Sequence, residues 1–216
     1  MAISNNSTGL RPGVCTSTTR PTAPYEGQMI YETDTDLTYI YGGSAWQQVS
    51  GGTAVGNSGL VYVASTTIGT GVTSVTVSNV FSSTYDAYRV VITGGVGTTT
   101  GNSLAMQLSG LTTGYYAGII YTSYSSASVA VATVNNGSSW EFAGSYGTDG
   151  IVLACDVINP YSAKPTFLVS SGYANHLSGM TNGKQTSSTS ATGFILSTLG
   201  GGNITGGVIT VYGYRK

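Results

Sequence analysis

Val208–Tyr214, VITVYGY, sets Ile209 and Val211 in alternation with Thr210 and Tyr212. Ser74–Val80, SVTVSNV, does the same with Val75 and Val77. A β-strand turns successive side chains to opposite faces, and two sheets packed face to face each bury one of those faces. The period of two therefore predicts an antiparallel β-sandwich. Further strong runs stand at AYRVVIT (87–93), IVLACDVI (151–158) and TFLVSS (166–171).

Reading outward in the same way places strands near 60–65, 72–80, 86–93, 103–109, 116–122, 128–134, 139–144, 151–158, 166–171, 191–197 and 207–213. Each is rich in Val, Ile, Thr and Tyr and bounded by Gly, Ser and Asn. Helix formers are scarce: Glu and Lys occur three times each, against 32 glycines. The even spacing predicts a jelly-roll-like sandwich over 60–216. The absence of a fixed sequence period argues against a β-helix or propeller.

Composition supports a folded chain. The 216 residues are 40% hydrophobic, with a net charge of −1, whereas disorder needs low hydrophobicity and high charge together. Only 7% are charged, against about 25% in an ordinary soluble domain. A surface so poor in ions has little colloidal repulsion and suits a subunit locked into an assembly. Seven scattered basic residues make no track for phosphates, so no nucleic-acid partner is expected. The first residues, MAISNNSTGLRPG, lack the pattern of a secretory signal. No run of 18 apolar residues predicts a membrane span. Cys155 lies in an apolar run and is expected to be buried; Cys15 lies in a polar one.

The N-terminal quarter differs from the rest. Residues 1–24 hold Pro12, Pro21 and Pro24, with Arg11 and Arg20 as their only charges. Proline fixes φ and removes a donor, so an extended arm outside any sheet is expected. Residues 25–50 read as a β-hairpin unit: QMIYET, LTYIY and AWQQV, turned by DTD and GGS. Residues 51–59, GGTAVGNSG, read as a linker. Tyr25, Met29, Tyr31, Tyr39, Tyr41 and Trp46 load the hairpin with more large side chains than two or three strands can bury. They are expected to contact other copies, around a three-fold axis, or the sandwich behind.

The segment RPTAPYEGQMIYETDTDLTYIYGGSAWQQV (20–49) resembles one found in virion proteins of tailed bacteriophages. In these a Pro-rich lead, an EGQ…YETDT hairpin and a closing GSAW stand ahead of variable β-domains. The ending GGVITVYGYRK (206–216) resembles the last strand of phage structural proteins with sandwich domains. The resemblance implies a phage structural part, and the poverty of catalytic motifs described next makes a non-enzymatic one without a cofactor the expectation. Its expected partners are its own copies, as a homotrimer, and the major capsid protein or another virion protein.

Catalytic patterns are poor. His176, the one histidine, stands near Ser178 without a GxSxG elbow. Glu141 with Asp149 or Asp156, and Glu32 with Asp34 or Asp36, are the carboxylate pairs that glycoside hydrolysis would need. YETDTD is better read as a turn than as calcium ligands. The glycine runs 93–102 and 198–207 lack the phosphate-loop pattern. Tyr115, Tyr116, Tyr121 and Tyr124 cluster in sequence and form a candidate patch for a neighbouring subunit or a host glycan.

Two placements follow. A capsid decoration or cement protein would lie on the shell by its arm, touching it through Arg11, Pro12, Arg20, Pro21 and Pro24. A tail fibre or receptor-binding protein would recognise host glycan, but 24 arm residues reach at most about 80 Å. Decoration is the expectation. A chain beginning at Tyr25 is expected to keep both folded parts.

Overall fold

The computed structural model describes residues 12–50, 59–99, 101–124, 126–172 and 177–216. The described residues hold strands and turns and no helix. The chain divides into two compact units between Ser58 and Gly59.

The first unit is a four-stranded sheet of β1 (Gly13–Cys15), β2 (Met29–Glu32), β3 (Leu37–Tyr41) and β4 (Trp46–Ser50), in that order. The hairpin strands pair antiparallel, while β1 lies parallel to β2, Val14 against Tyr31. The expected turns are present at 33–36 and 42–45. The expectation of an arm free of any sheet fails for residues 13–15. Pro12 precedes β1 and leaves it its donors, and the crossover from β1 to β2 carries Pro21 and Pro24 through turns.

Among the described residues the second unit holds fifteen strands. They are β5 (Leu60–Thr67), β6 (Ser74–Val77), β7 (Ala87–Thr93), β8 (Val96–Gly97), β9 (Asn102–Leu108), β10 (Tyr115–Ser123), β11 (Val129–Gly137), β12 (Trp140–Gly147), β13 (Gly150–Val152), β14 (Ala154–Ile158), β15 (Thr166–Ser171), β16 (Leu177–Gln185), β17 (Phe194–Thr198), β18 (Ile204–Thr205) and β19 (Val208–Tyr214). The larger sheet runs β11-β10-β16-β15-β14-β7-β19-β5, the smaller β13-β12-β9-β17-β6, and β8 pairs with β18. Every pairing in this unit is antiparallel.

One continuous core joins the two sheets. Val90 on β7, Val157 on β14, Leu168 on β15 and Val211 on β19 face Leu104 and Met106 on β9, Trp140 on β12 and Phe194 on β17. The sandwich expectation is met, and Cys155 is buried as expected. VITVYGY buries Ile209, Val211 and Gly213 in turn. Gly213 is glycine for a reason of space: a Cβ there would stand 2.3 Å from the Tyr85 ring.

All eleven expected strands are present. IVLACDVI is divided, because Leu153 separates β13 in the small sheet from β14 in the large one. The sequence reading missed β16, LSGMTNGKQ, whose two glycines and asparagine are poor strand formers. Tertiary context imposes it. β10 and β15 flank it on both sides. Its buried Gln185 donates to the Thr113 carbonyl at 2.9 Å and accepts from the Ser187 amide at 2.8 Å.

Candidate attachment and assembly surfaces

In the first unit the cross-strand register sorts the hairpin side chains. Ile30 faces Tyr39, Glu32 faces Leu37, and Tyr41 faces Trp46. These share one face, because directly opposed residues in an antiparallel pair point the same way. Met29 and Tyr31 lie on the other face with Ile40. The six residues expected to form one contact surface are thus split. Tyr39, Tyr41 and Trp46 lie on one side, with Tyr41 edge-on to Trp46 at 5.3 Å. Met29 and Tyr31 lie on the other, and Tyr25 stands exposed outside the strands.

The face with Tyr39 is covered from within the unit. The Arg20 guanidinium lies 4.4 Å from the centre of the Tyr39 ring. Its Nε donates to the carboxylate of Glu32, which is fully shielded from solvent. The Thr35 hydroxyl donates to the other oxygen of Glu32 at 2.9 Å. Asp34 accepts from the amide and the hydroxyl of Ser17, at 2.9 and 2.6 Å. Asp36 accepts from the Tyr31 hydroxyl at 2.6 Å. Each acid of YETDTD therefore has a different partner within the unit, which explains the concentration of charge in one short segment. Arg20, expected to reach for the virion, instead closes its own fold, and Pro21 and Pro24 belong to the segment it anchors. Arg11 lies outside the described residues. Removing 1–24 would strip β1 and Arg20 from the sheet, so the expectation that a chain starting at Tyr25 keeps both units folded is corrected.

These contacts give the first unit an acid limit. Hydrogen bonding from Arg20 holds the Glu32 carboxyl below its ordinary range, and hydrogen bonds from Ser17 do the same for Asp34. A carboxyl with a depressed folded pKa lends stability that is complete above its unfolded value, about 4, and is lost as pH falls through the folded value. On acidification below about pH 4 the first unit is expected to open while the sandwich, which buries no carboxylate among its described residues, stays closed. Amide exchange followed by residue down the pH scale checks this. Glu32→Gln should weaken the acid transition.

In the sandwich the tyrosine patch separates by strand alternation. Tyr115 points into the core, edge-on to Trp140 at 5.1 Å. Its hydroxyl donates to the Leu111 carbonyl at 3.0 Å and accepts from the Leu108 amide at 2.8 Å. Burial pushes its pKa up to about 12. Tyr121 lies on the same side and is half-buried, whereas Tyr116 and Tyr124 are exposed. Tyr115 and Tyr121 therefore leave the candidate contact patch. Two neighbouring tyrosines in a strand cannot share a face, and the spacing 115, 116, 121 carried that signal.

The acid–base candidates of the sandwich that lie among the described residues stand on different elements. Asp156 sits on the outer face of the large sheet. It accepts from Arg89 at 3.2 Å and from the Tyr214 hydroxyl at 2.7 Å. Glu141 is on β12 of the other sheet, Asp149 is in the turn before β13, and His176 lies outside the described residues. Among the described residues no three His, Cys, Asp or Glu side chains gather as metal ligands. Among those same residues no helix is long and apolar enough to cross a membrane.

The outer face of the large sheet is the feature that sequence reading missed. Ile120, Val129, Val131 and Met180 on β10, β11 and β16 stand exposed together. The signal was present in VAVATV (129–134), whose valines alternate with alanines. It reads equally well as a strand with either face buried. No family model, curated protein or solved structure matches the chain.

Proposed function

We propose that this chain is a non-enzymatic structural protein of a tailed-phage virion. Its N-terminal unit attaches it, and its sandwich is displayed and packs against other virion components. The observation that carries the reading is the division of the chain: the segment resembling phage modules lies in a compact unit separate from the sandwich. That unit is held by contacts of its own, Arg20 to Glu32 and Ser17 to Asp34. Small sheets are marginal alone, so a unit of this size fits a part completed by the structure it joins.

The strand order supports a jelly-roll-like path as well. Within the two sheets, β5-β19-β7-β14 and β6-β17-β9-β12 nest the first strand beside the last and the second beside β17, the wrapping that two Greek keys give. Strands β15, β16, β10 and β11 extend the larger sheet beyond it.

The placement moves toward the tail. Capsid decoration drew its support from a long free arm, but residues 13–24 are bound to the hairpin. A receptor-binding subunit plugged by a compact unit into a tail that itself supplies the shaft needs no free arm. The three-fold contact expected at the hairpin loses the single aromatic face on which it rested. Purified chain mixed with separated heads and tails from particles lacking it tests the placement. Binding to tails is expected; binding to heads restores the decoration reading; binding to neither contradicts attachment altogether.

A further inference from the structure

The larger sheet ends on β11, nine residues without a charge or a proline. Natural sheets blunt such an edge with lysine, proline, a very short strand or a covering element. Beside this edge the outer face is apolar. The register sets Ile120 between Val131 and Met180, and Thr122 beside Val129. Ile120 is 62% exposed, Val129 and Val131 are 69% exposed, and Met180 is 60% exposed. Between them lies an open hollow of about 660 Å³, lined in part by Gly118. A Cβ at Gly118 would meet nothing within 4 Å.

We propose that this face is a docking surface for a second copy of the chain, apposed through β10, β11 and β16. Charge selects the occupant. Those strands carry one charged side chain, Lys184. A strongly acidic or basic partner therefore finds little to pair with, while two copies of a neutral face meet with little repulsion. Shape agrees. An isologous contact needs both halves of its complementarity on one surface. This surface carries projecting side chains, Ile120 and Val131, and a hollow beside them. The inference concerns how copies meet and does not depend on the virion role, so its test uses the purified full-length chain alone.

Sedimentation velocity over a concentration series is the measurement. The wild-type chain is expected to form a dimer. Gly118→Val fills the hollow with a residue that strands favour, so its thermal unfolding midpoint should not fall while its dimer weakens about thirtyfold or more, the effect of a hot-spot residue. Val131→Lys, on the exposed edge strand, should weaken it similarly. Tyr62→Lys, on the opposite edge strand β5, should leave the dimer unchanged. A wild-type chain that stays monomeric up to its solubility limit overturns the proposal, as does a dimer that persists in both Gly118→Val and Val131→Lys. A monomer whose β11 amides are protected from exchange only while residues 1–58 are present assigns the face to the N-terminal unit and likewise overturns it.

Discussion

Trp140→Ala is expected to lower the stability of the sandwich by about 3–5 kcal/mol, the range for emptying a buried aromatic site. Against the roughly 5–15 kcal/mol that folded domains have in total, that is a large share. In thermal terms it corresponds to a fall of roughly 6–20 °C for a unit of this size. The reason is position. Trp140 is fully buried where the two sheets meet, edge-on to Tyr115 on one side and over Gly183 on another. A Cβ at Gly183 would come within 2.6 Å of the indole, so this part of β16 was shaped around the ring. The indole Nε1 finds no hydrogen-bond partner among the described residues, and an orphan donor costs about 1–3 kcal/mol. Trp140→Phe should therefore lose much less than Trp140→Ala. Denaturant midpoints of the two variants read the difference; equal losses would mean that the ring volume is not what matters.

Arg20→Ala is expected to open the N-terminal unit and leave the sandwich intact. The substitution removes the guanidinium from the shielded Glu32 and from the face of Tyr39, leaving Thr35 as the remaining side-chain donor to that carboxylate. An ion out of water with its partner deleted is a large destabilisation for a small sheet. Amide exchange should rise across β1–β4 to near the rate of an open chain, with no change in β5–β19. Arg20→Lys should rescue in part, because an ammonium restores charge but not the planar fork. Chain carrying Arg20→Ala should also fail to bind virion particles. If it binds as wild type does, attachment resides elsewhere.

Most of the sandwich was legible because its strands alternate. VITVYGY, AYRVVIT and TFLVSS each bury every second residue, so their reading survives any ordering of the sheets. β16 was not legible, since its glycines serve neighbours, above all the Trp140 ring against Gly183. Such a demand exists only in three dimensions. The N-terminal unit was half legible. Its turns are written in DTD and GGS, but the closure by Arg20 joins residues twelve positions apart through a loop that no local pattern specifies. The prolines of residues 1–24 argue against a sheet there. Proline bars only its own positions from donating, and Gly13–Cys15, free of proline, pairs with β2. The tyrosine cluster misled because closeness in sequence was taken for closeness on a surface, while Tyr115 and Tyr116 point to opposite sides of one strand.

The virion role is tested most directly by composition. Tailed-phage particles from a lysate that expresses this chain would be purified, separated into heads and tails, and each fraction quantified by mass spectrometry. The proposed role requires this chain in multiple copies per particle, in a fixed ratio to the other structural proteins and with the tails. Finding it only in the soluble lysate, in no ratio to either fraction, would contradict the account.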